Sequence, residues 1–188
     1  MTMMDIAPTI TKLITGEELL ALGDIGPCEL IDGRIFYMSP TNVEHAIIEF
    51  LLGGELTQFV QKRKLGRVIG GEVGIYTRRN PDRIRGADIA FVSLERMPSK
   101  PPKGFLTTAP ELVVEVMSPD DRWQDVNDKI EEYFSIGVQQ VWIVEPDNRA
   151  VRIYRSATEM QKLSESDVLK GEGPLTGFEM PVAKLFES

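Results

Sequence analysis

The chain has 188 residues, 42% of them hydrophobic and 27% charged, enough for one ordinary globular core and a default of one domain. No run of roughly 18 apolar residues is present, which excludes a helical membrane span. The net charge of −8 counts against tight, non-specific binding of nucleic acid by phosphate neutralisation, while leaving room for a local basic groove or for an acidic site whose metal ions meet the phosphate first.

The amino end, MTMMDIAPTI, has neither the basic region nor the apolar core of a secretory signal and reads as a flexible arm over residues 1–11, with 12–188 as the domain. One cysteine, Cys28, and one histidine, His45, leave no material for an intramolecular disulfide or a structural zinc centre, and fit a reducing cytoplasm. Thr15, with Glu18 three residues later, is a capping box opening a short helix that ends near Gly23. Asp32-Gly33 between two apolar runs predicts a tight hairpin. Thr41 and Glu44 open a long helix through NVEHAIIEFLLGGELTQFVQKR, with basic residues at its carboxyl end, where the helix dipole favours them.

The middle is rich in strands. GRVIGGEVGIYT and IRGADIAFVS are joined by the turn RRNPDR, MPSKPPKG is an exposed loop, and PELVVEVMS is a third strand. A helix from Trp123 to Ile136 follows, closed by Gly137 at the position where a left-handed residue ends a helix. VQQVWIVEP is a buried strand paired with DNRAVRIYRS through a turn at Asp147-Asn148. Weaker strands and a short terminal helix complete the chain. Short links between the three middle strands predict an antiparallel meander, and the helical crossover predicts a parallel pairing after it. The fold class is α/β, a mixed sheet flanked by helices.

Two carboxylates interrupt otherwise apolar strands. Side chains alternate across a strand, so Glu115 shares a face with Val113 and Met117, and Asp88 with Ala90 and Val92. A buried carboxylate needs a cation or hydrogen-bond donors. Two on adjacent strands can converge on one hard ion such as Mg²⁺, which oxygen ligands suit. The alternative for each is a solvated strand end or a pairing with arginine, for which Arg85 or Arg122 would serve. On the 123–136 helix, Val126, Ile130, Tyr133, Phe134 and Gly137 form one apolar stripe. Lys129 lies roughly 80° from its centre at ~100° per residue, on the flank, from where it can reach a strand end or pair with Asp125 one turn away. His45 and Glu49 share a face of the long helix at i and i+4, with Gly53 continuing it and allowing close approach. Glu72 shares a strand face with Gly70 and Gly74, which leaves backbone room for a ligand. A structural histidine and a solvated strand edge are the competing readings for these two sites. Gly70-Gly71 has no phosphate-loop pattern after it, and a single histidine leaves little material for a hydrolase triad.

GADIAFV, the stretch from PELVVEVMS to RAVRIYR, and TNVEHAIIEFLLGGEL together resemble the Uma-two family, also called "putative restriction endonuclease domain" proteins, of the PD-(D/E)XK nuclease superfamily. The resemblance spans about residues 12 to 186, with 110–155 its specific part. It implies a restriction-endonuclease-like fold and an endonuclease that hydrolyses DNA with Mg²⁺ or Mn²⁺. Asp88 matches the first acid and Glu115 the second, both as metal ligands. Ala87 stands where a proline usually precedes the aspartate, and Met117 where the lysine is usual. Lys129 matches a lysine moved to the following helix, where it would orient the attacking water or neutralise charge, with a pKa lowered by burial. His45, Glu49 and Glu72 are auxiliary candidates. The superfamily also implies a homodimer. The competing expectation, favoured by the acidic balance and the missing strand lysine, is a catalytically silent nuclease-fold binding or scaffold protein.

Overall fold

The computed structural model describes residues 12–97 and 102–187. The arm at 1–11 and the centre of the proline-rich loop lie outside the described residues. The Thr15–Glu18 capping box is present at the start of α1 (Gly16–Ala21), and β1 (Cys28–Ile31) and β2 (Arg34–Tyr37) form the hairpin at Asp32-Gly33, both of which take positive φ. The long helix α2 (Val43–Arg63) starts one residue later than the Thr41 cap predicts. Asn42 is the cap, its side chain accepting the His45 amide at 2.9 Å, because an asparagine one residue closer to the first turn satisfies a free amide directly.

β3 (Gly66–Arg78), β4 (Arg83–Ser93) and β5 (Leu112–Val116) form the predicted antiparallel meander. α3 (Trp123–Ser135) then crosses over, and β6 (Gln140–Glu145) runs parallel to β5. β7 (Ala150–Tyr154) and β8 (Met160–Leu163) extend the sheet by hairpins, giving eight strands in the order β2-β1-β4-β5-β6-β7-β8 with β3 on the other edge of β4. β9 (Val168–Lys170) and β10 (Glu179–Pro181) pair separately. The predicted terminal helix is a single 3₁₀ turn at Val182–Leu185, four residues being too few for a stable α-helix.

Both faces of the sheet are covered, which is why its central strands read as continuous apolar runs. On one face, Ile48, Leu52, Leu56 and Val60 of α2 pack on Ile89, Phe91, Leu112, Val114 and Val116, joined by Phe178, Met180 and Leu185 of the carboxyl-terminal segment. On the other, Val126, Ile130 and Tyr133 of α3 pack on Ala87, Ala90, Val113, Val141 and Ile143. No helix among the described residues is long and apolar enough to cross a membrane.

One irregularity positions the site. Along one edge β4 pairs with β3, but its other edge is divided: β1 pairs at Leu30–Ile84 and β5 only from Ile89–Val114 onward. Between these pairings the sheet forks, and backbone groups of β4 and β5 need partners other than a neighbouring strand. On the opposite edge, Gly70 faces Ile89 and Val73 faces Ala87, so Gly71 and Glu72 together oppose Asp88 in a β-bulge.

Candidate active site at the fork of the sheet

Side chains take the place of the missing ladder at the fork. The Asp88 carboxylate accepts the Val116 amide at 2.6 Å through Oδ2. The Gly86 amide donates to Glu29 Oε1 at 3.0 Å, and the Gly86 carbonyl accepts from Lys129 Nζ at 3.2 Å and from the Tyr133 hydroxyl at 3.4 Å. Four elements, β1, β4, β5 and α3, thus converge on backbone that a regular sheet would have paired.

Lys129 lies where its flank position allows, turned towards the sheet. Its ammonium donates to Glu115 Oε2 at 3.2 Å and lies 3.1 Å from Glu29 Oε1. With the Gly86 carbonyl it thus has two hydrogen-bond acceptors and one further ion-pair contact. Burial alone would lower its pKa, as the sequence reading expects, but Glu115 and Glu29 outweigh burial and the net direction is upward. Lys129 is therefore a fixed cation at neutral pH. Burial raises the Glu115 carboxyl; Lys129 opposes that shift and Asp88 adds to it. The Tyr133 hydroxyl donates to Glu115 Oε1 at 2.6 Å, and its own pKa is held up by burial and by Glu115, so it remains a donor.

On the α2 side, His45 Nε2 lies 3.3 Å from Asp88 Oδ2. Ligand atoms of His45, Glu49 and Asp88 lie within 4.8 Å of one another. Glu49 and Asp88 each have one oxygen tied, Glu49 Oε1 to the Gly71 amide of the bulge at 3.1 Å and Asp88 Oδ2 as above. Among the described residues no group donates to their other oxygens, Glu49 Oε2 and Asp88 Oδ1. Burial would lower the His45 pKa, but Asp88, with help from Glu49 and Glu72, raises it.

Glu72 departs from simple alternation. The bulge places it at φ 57° beside Gly71 at φ 81°, a left-handed conformation that costs an ordinary residue ~1–2 kcal/mol. Bulges beside functional sites re-aim side chains in this way. Its carboxylate now lies against Gly86, where a Cβ would meet Glu72 Oε2 at 2.8 Å. Burial and Asp88 push its pKa to about 7, against the pull of Lys129 and His45.

All six residues singled out in the sequence therefore gather at the fork, but not as one shell. Asp88 belongs with His45 and Glu49, whereas the Glu115 carboxylate is engaged by Lys129 and Tyr133 and is not part of that triplet. The predicted arginine partners lie elsewhere: Arg85 donates to Glu29 at 2.8 Å and grips Glu132 at 2.8 and 2.7 Å, and Arg122 sits at the N-cap of α3. The sequence reading missed Glu29, and it read Tyr133 as core only. An acid within the apolar run CELI is the same signal that exposed Asp88 and Glu115, and applied evenly it finds Glu29.

A divalent cation fits this donor set. Asp88 and Glu49 stand together with His45, and Glu72 and Glu115 each feel both Asp88 and Lys129. Acids gathered so closely raise one another's affinity for a proton, and a divalent cation would relieve the same repulsion. Carboxylate oxygens suit Mg²⁺ and Mn²⁺, and the imidazole of His45 is tolerated by the second of these.

Comparison with known proteins gives the fold and the family. A solved structure described as "a putative nuclease belonging to DUF820" from Anabaena variabilis superposes with a TM-score of 0.78 at 23% identity, covering 92% of this chain and 97% of that one; the likeness establishes the α/β fold. No curated protein matches the chain. A family model described as "Uma2: Putative restriction endonuclease" matches residues 17–183. The chain thus belongs to the Uma2 family.

Proposed function

We propose that the protein is a metal-dependent endodeoxyribonuclease, with the fork of the sheet as its active site. The observation that carries this reading is the cluster of His45, Glu49 and Asp88, whose ligand atoms lie within 4.8 Å of one another, with the Glu115–Lys129 pair beside it. The family match and the nuclease-like neighbour support the same reading.

A bound Mg²⁺ or Mn²⁺ would supply a water of lowered pKa and counter the charge that develops on the phosphate. Asp88 and Glu49 would hold it beside His45, Glu72 lies at the neighbouring bulge against Gly86, and Glu115 is the second acid that the family resemblance points to. Lys129, permanently charged, stabilises the ionised form of Glu115 and adds positive potential where negative charge accumulates in the transition state. Tyr133 fixes the Glu115 rotamer. Glu29 positions Lys129 through their contact at 3.1 Å.

The test is cleavage of a circular plasmid with Mg²⁺ or Mn²⁺ by wild type, Asp88→Ala and Glu115→Ala. Nicking or linearisation by wild type, lost in both variants and on chelation, is the expected result. Equal activity in all three, or none in any, overturns the enzymatic reading. The engagement of the Lys129 ammonium by three protein oxygens favours a second reading, a silent binding module, and the absence of cleavage by wild type would support it.

A further inference from the structure

Two glycine pairs face each other next to the proposed cation position, Gly53-Gly54 on α2 and Gly70-Gly71 on β3. They bound a groove of about 510 Å³ that has Glu49 at one end and Phe50, Thr57, Gln58 and Gln61 along its side. A Cβ on Gly53 would stand 3.6 Å from Ile89, and one on Gly70 would stand 3.4 Å from the Asp88 carbonyl and 3.7 Å from Glu49 Oε1. Side chains there would fill the space between helix and strand. Gly54 and Gly71 would meet nothing within 4 Å.

Resting on the nuclease reading above, we propose that this groove receives one unpaired nucleotide of the DNA strand beside the scissile phosphate, so that single-stranded or locally opened DNA is the preferred substrate. Three observations argue for a base rather than a phosphate or a duplex. Among the described residues none that lines the groove is a lysine or an arginine, so they offer no counter-charge to phosphate. Phe50 is 86% exposed, the state of an aromatic ring ready to stack on a base, an interaction open to every base. The amides of Gln58 and Gln61 and the hydroxyl of Thr57 supply donors and acceptors for a base edge, which duplex pairing would otherwise occupy. The groove reaches the cation triplet directly through Glu49, so whatever fills it lies next to the reacting phosphate.

The test measures binding and cleavage separately. Fluorescein-labelled oligothymidylate and a duplex of equal length are titrated, with Ca²⁺ replacing the active metal, into wild type, Phe50→Ala, Gly54→Leu and Ile47→Ala. Phe50→Ala should weaken single-strand binding roughly tenfold. Gly54→Leu should fill the groove and abolish binding while melting no lower than wild type. Ile47→Ala, on the same helix but outside the groove, should bind as wild type does. If wild type cuts DNA yet Phe50→Ala and Gly54→Leu bind and cut like it, the groove proposal fails and the nuclease reading stands. If wild type binds the single strand and the variants lose it, but nothing is cut, the groove stands and the nuclease reading fails. Light scattering on the same samples covers the remaining occupant: dissociation of a dimer by both Phe50→Ala and Ile47→Ala, with binding lost in parallel, would assign Phe50 to a second copy of the chain and overturn the proposal.

Discussion

Replacing Lys129 with methionine keeps the length of the side chain and removes the one cation between Glu115 and Glu29. The ammonium contacts both carboxylates and the Gly86 carbonyl at 3.1–3.2 Å, with 19% of the side chain exposed. Breaking a buried ion pair by removing one partner costs ~3–5 kcal/mol, because the other charge is left unpaired. Glu115 can escape part of that cost by taking up a proton, so the loss depends on pH. With the ammonium in place the folded Glu115 carboxyl is already raised to about 8, and without it the pKa rises further. Wild type and variant therefore both lose stability as pH rises from ~4.5, but only the variant keeps losing it through and above pH ~8. The expected loss relative to wild type is ~3 kcal/mol at pH ~9.5, or ~6–12 °C in Tm for a chain of this size, and ~1 kcal/mol at pH ~6, where Glu115 holds its proton in both proteins. Urea unfolding at both pH values, for Lys129→Met, Glu115→Gln and the double variant, measures this loss, and the coupling between the two sites should exceed ~1 kcal/mol at pH ~9.5. A Lys129→Met protein within ~0.5 kcal/mol of wild type at pH ~9.5, or one equally destabilised at both pH values, would show that Lys129 and Glu115 are not a coupled buried pair.

Other consequences are equally direct. Glu72, with its pKa raised to about 7, contributes stability that is complete below ~4.5 and is lost as pH rises through 7; the full displacement is worth ~3 kcal/mol, and solvent at this partly exposed carboxylate reduces it to ~1–2 kcal/mol. Glu72→Gln should therefore flatten the stability profile between those pH values, and a wild-type-like slope in the variant would contradict the shift. Gly86→Ala should melt within a few degrees of wild type, since the new Cβ meets only the end of the Glu72 side chain at 2.8 Å, yet should weaken Mn²⁺ binding several-fold by calorimetry; unchanged affinity would remove Glu72 from the site. Tyr133→Phe, which deletes a 2.6 Å hydrogen bond to Glu115, should cost ~1–3 kcal/mol and lower kcat more than it raises KM, whereas equal kinetics would leave Tyr133 a core residue only.

Much of this site was legible because burying a carboxylate is expensive. An acid inside an apolar strand stands out by alternation, which singled out Asp88 and Glu115 but left a solvated strand end or an arginine partner open. Their pairing as metal ligands came from the family resemblance. The flank position of Lys129 was also readable, but its partners were not, since Glu29 is a hundred residues away and reaches it only through the hairpin packed on β4. The expected depression of the Lys129 pKa failed for the same reason: burial is a local inference, whereas the second carboxylate that reverses it is a tertiary fact. Glu72 was placed on the wrong principle. Strict alternation puts it between Gly70 and Gly74, and the bulge that turns it towards Gly86 follows from the register of β3 against β4, which no short stretch of sequence encodes. The split edge of β4 was equally hidden, although each strand that creates it was recognised.

The claim on which the rest depends is that the fork beside Asp88 holds a divalent cation. Anomalous diffraction from crystals grown with Mn²⁺ tests it directly. A single strong peak bonded by Asp88 and Glu49 and lying next to His45 is expected, absent from crystals of Asp88→Asn. A map with no peak at the fork, or with Lys129 and Glu115 unchanged and the ion bound only at surface carboxylates, would contradict it.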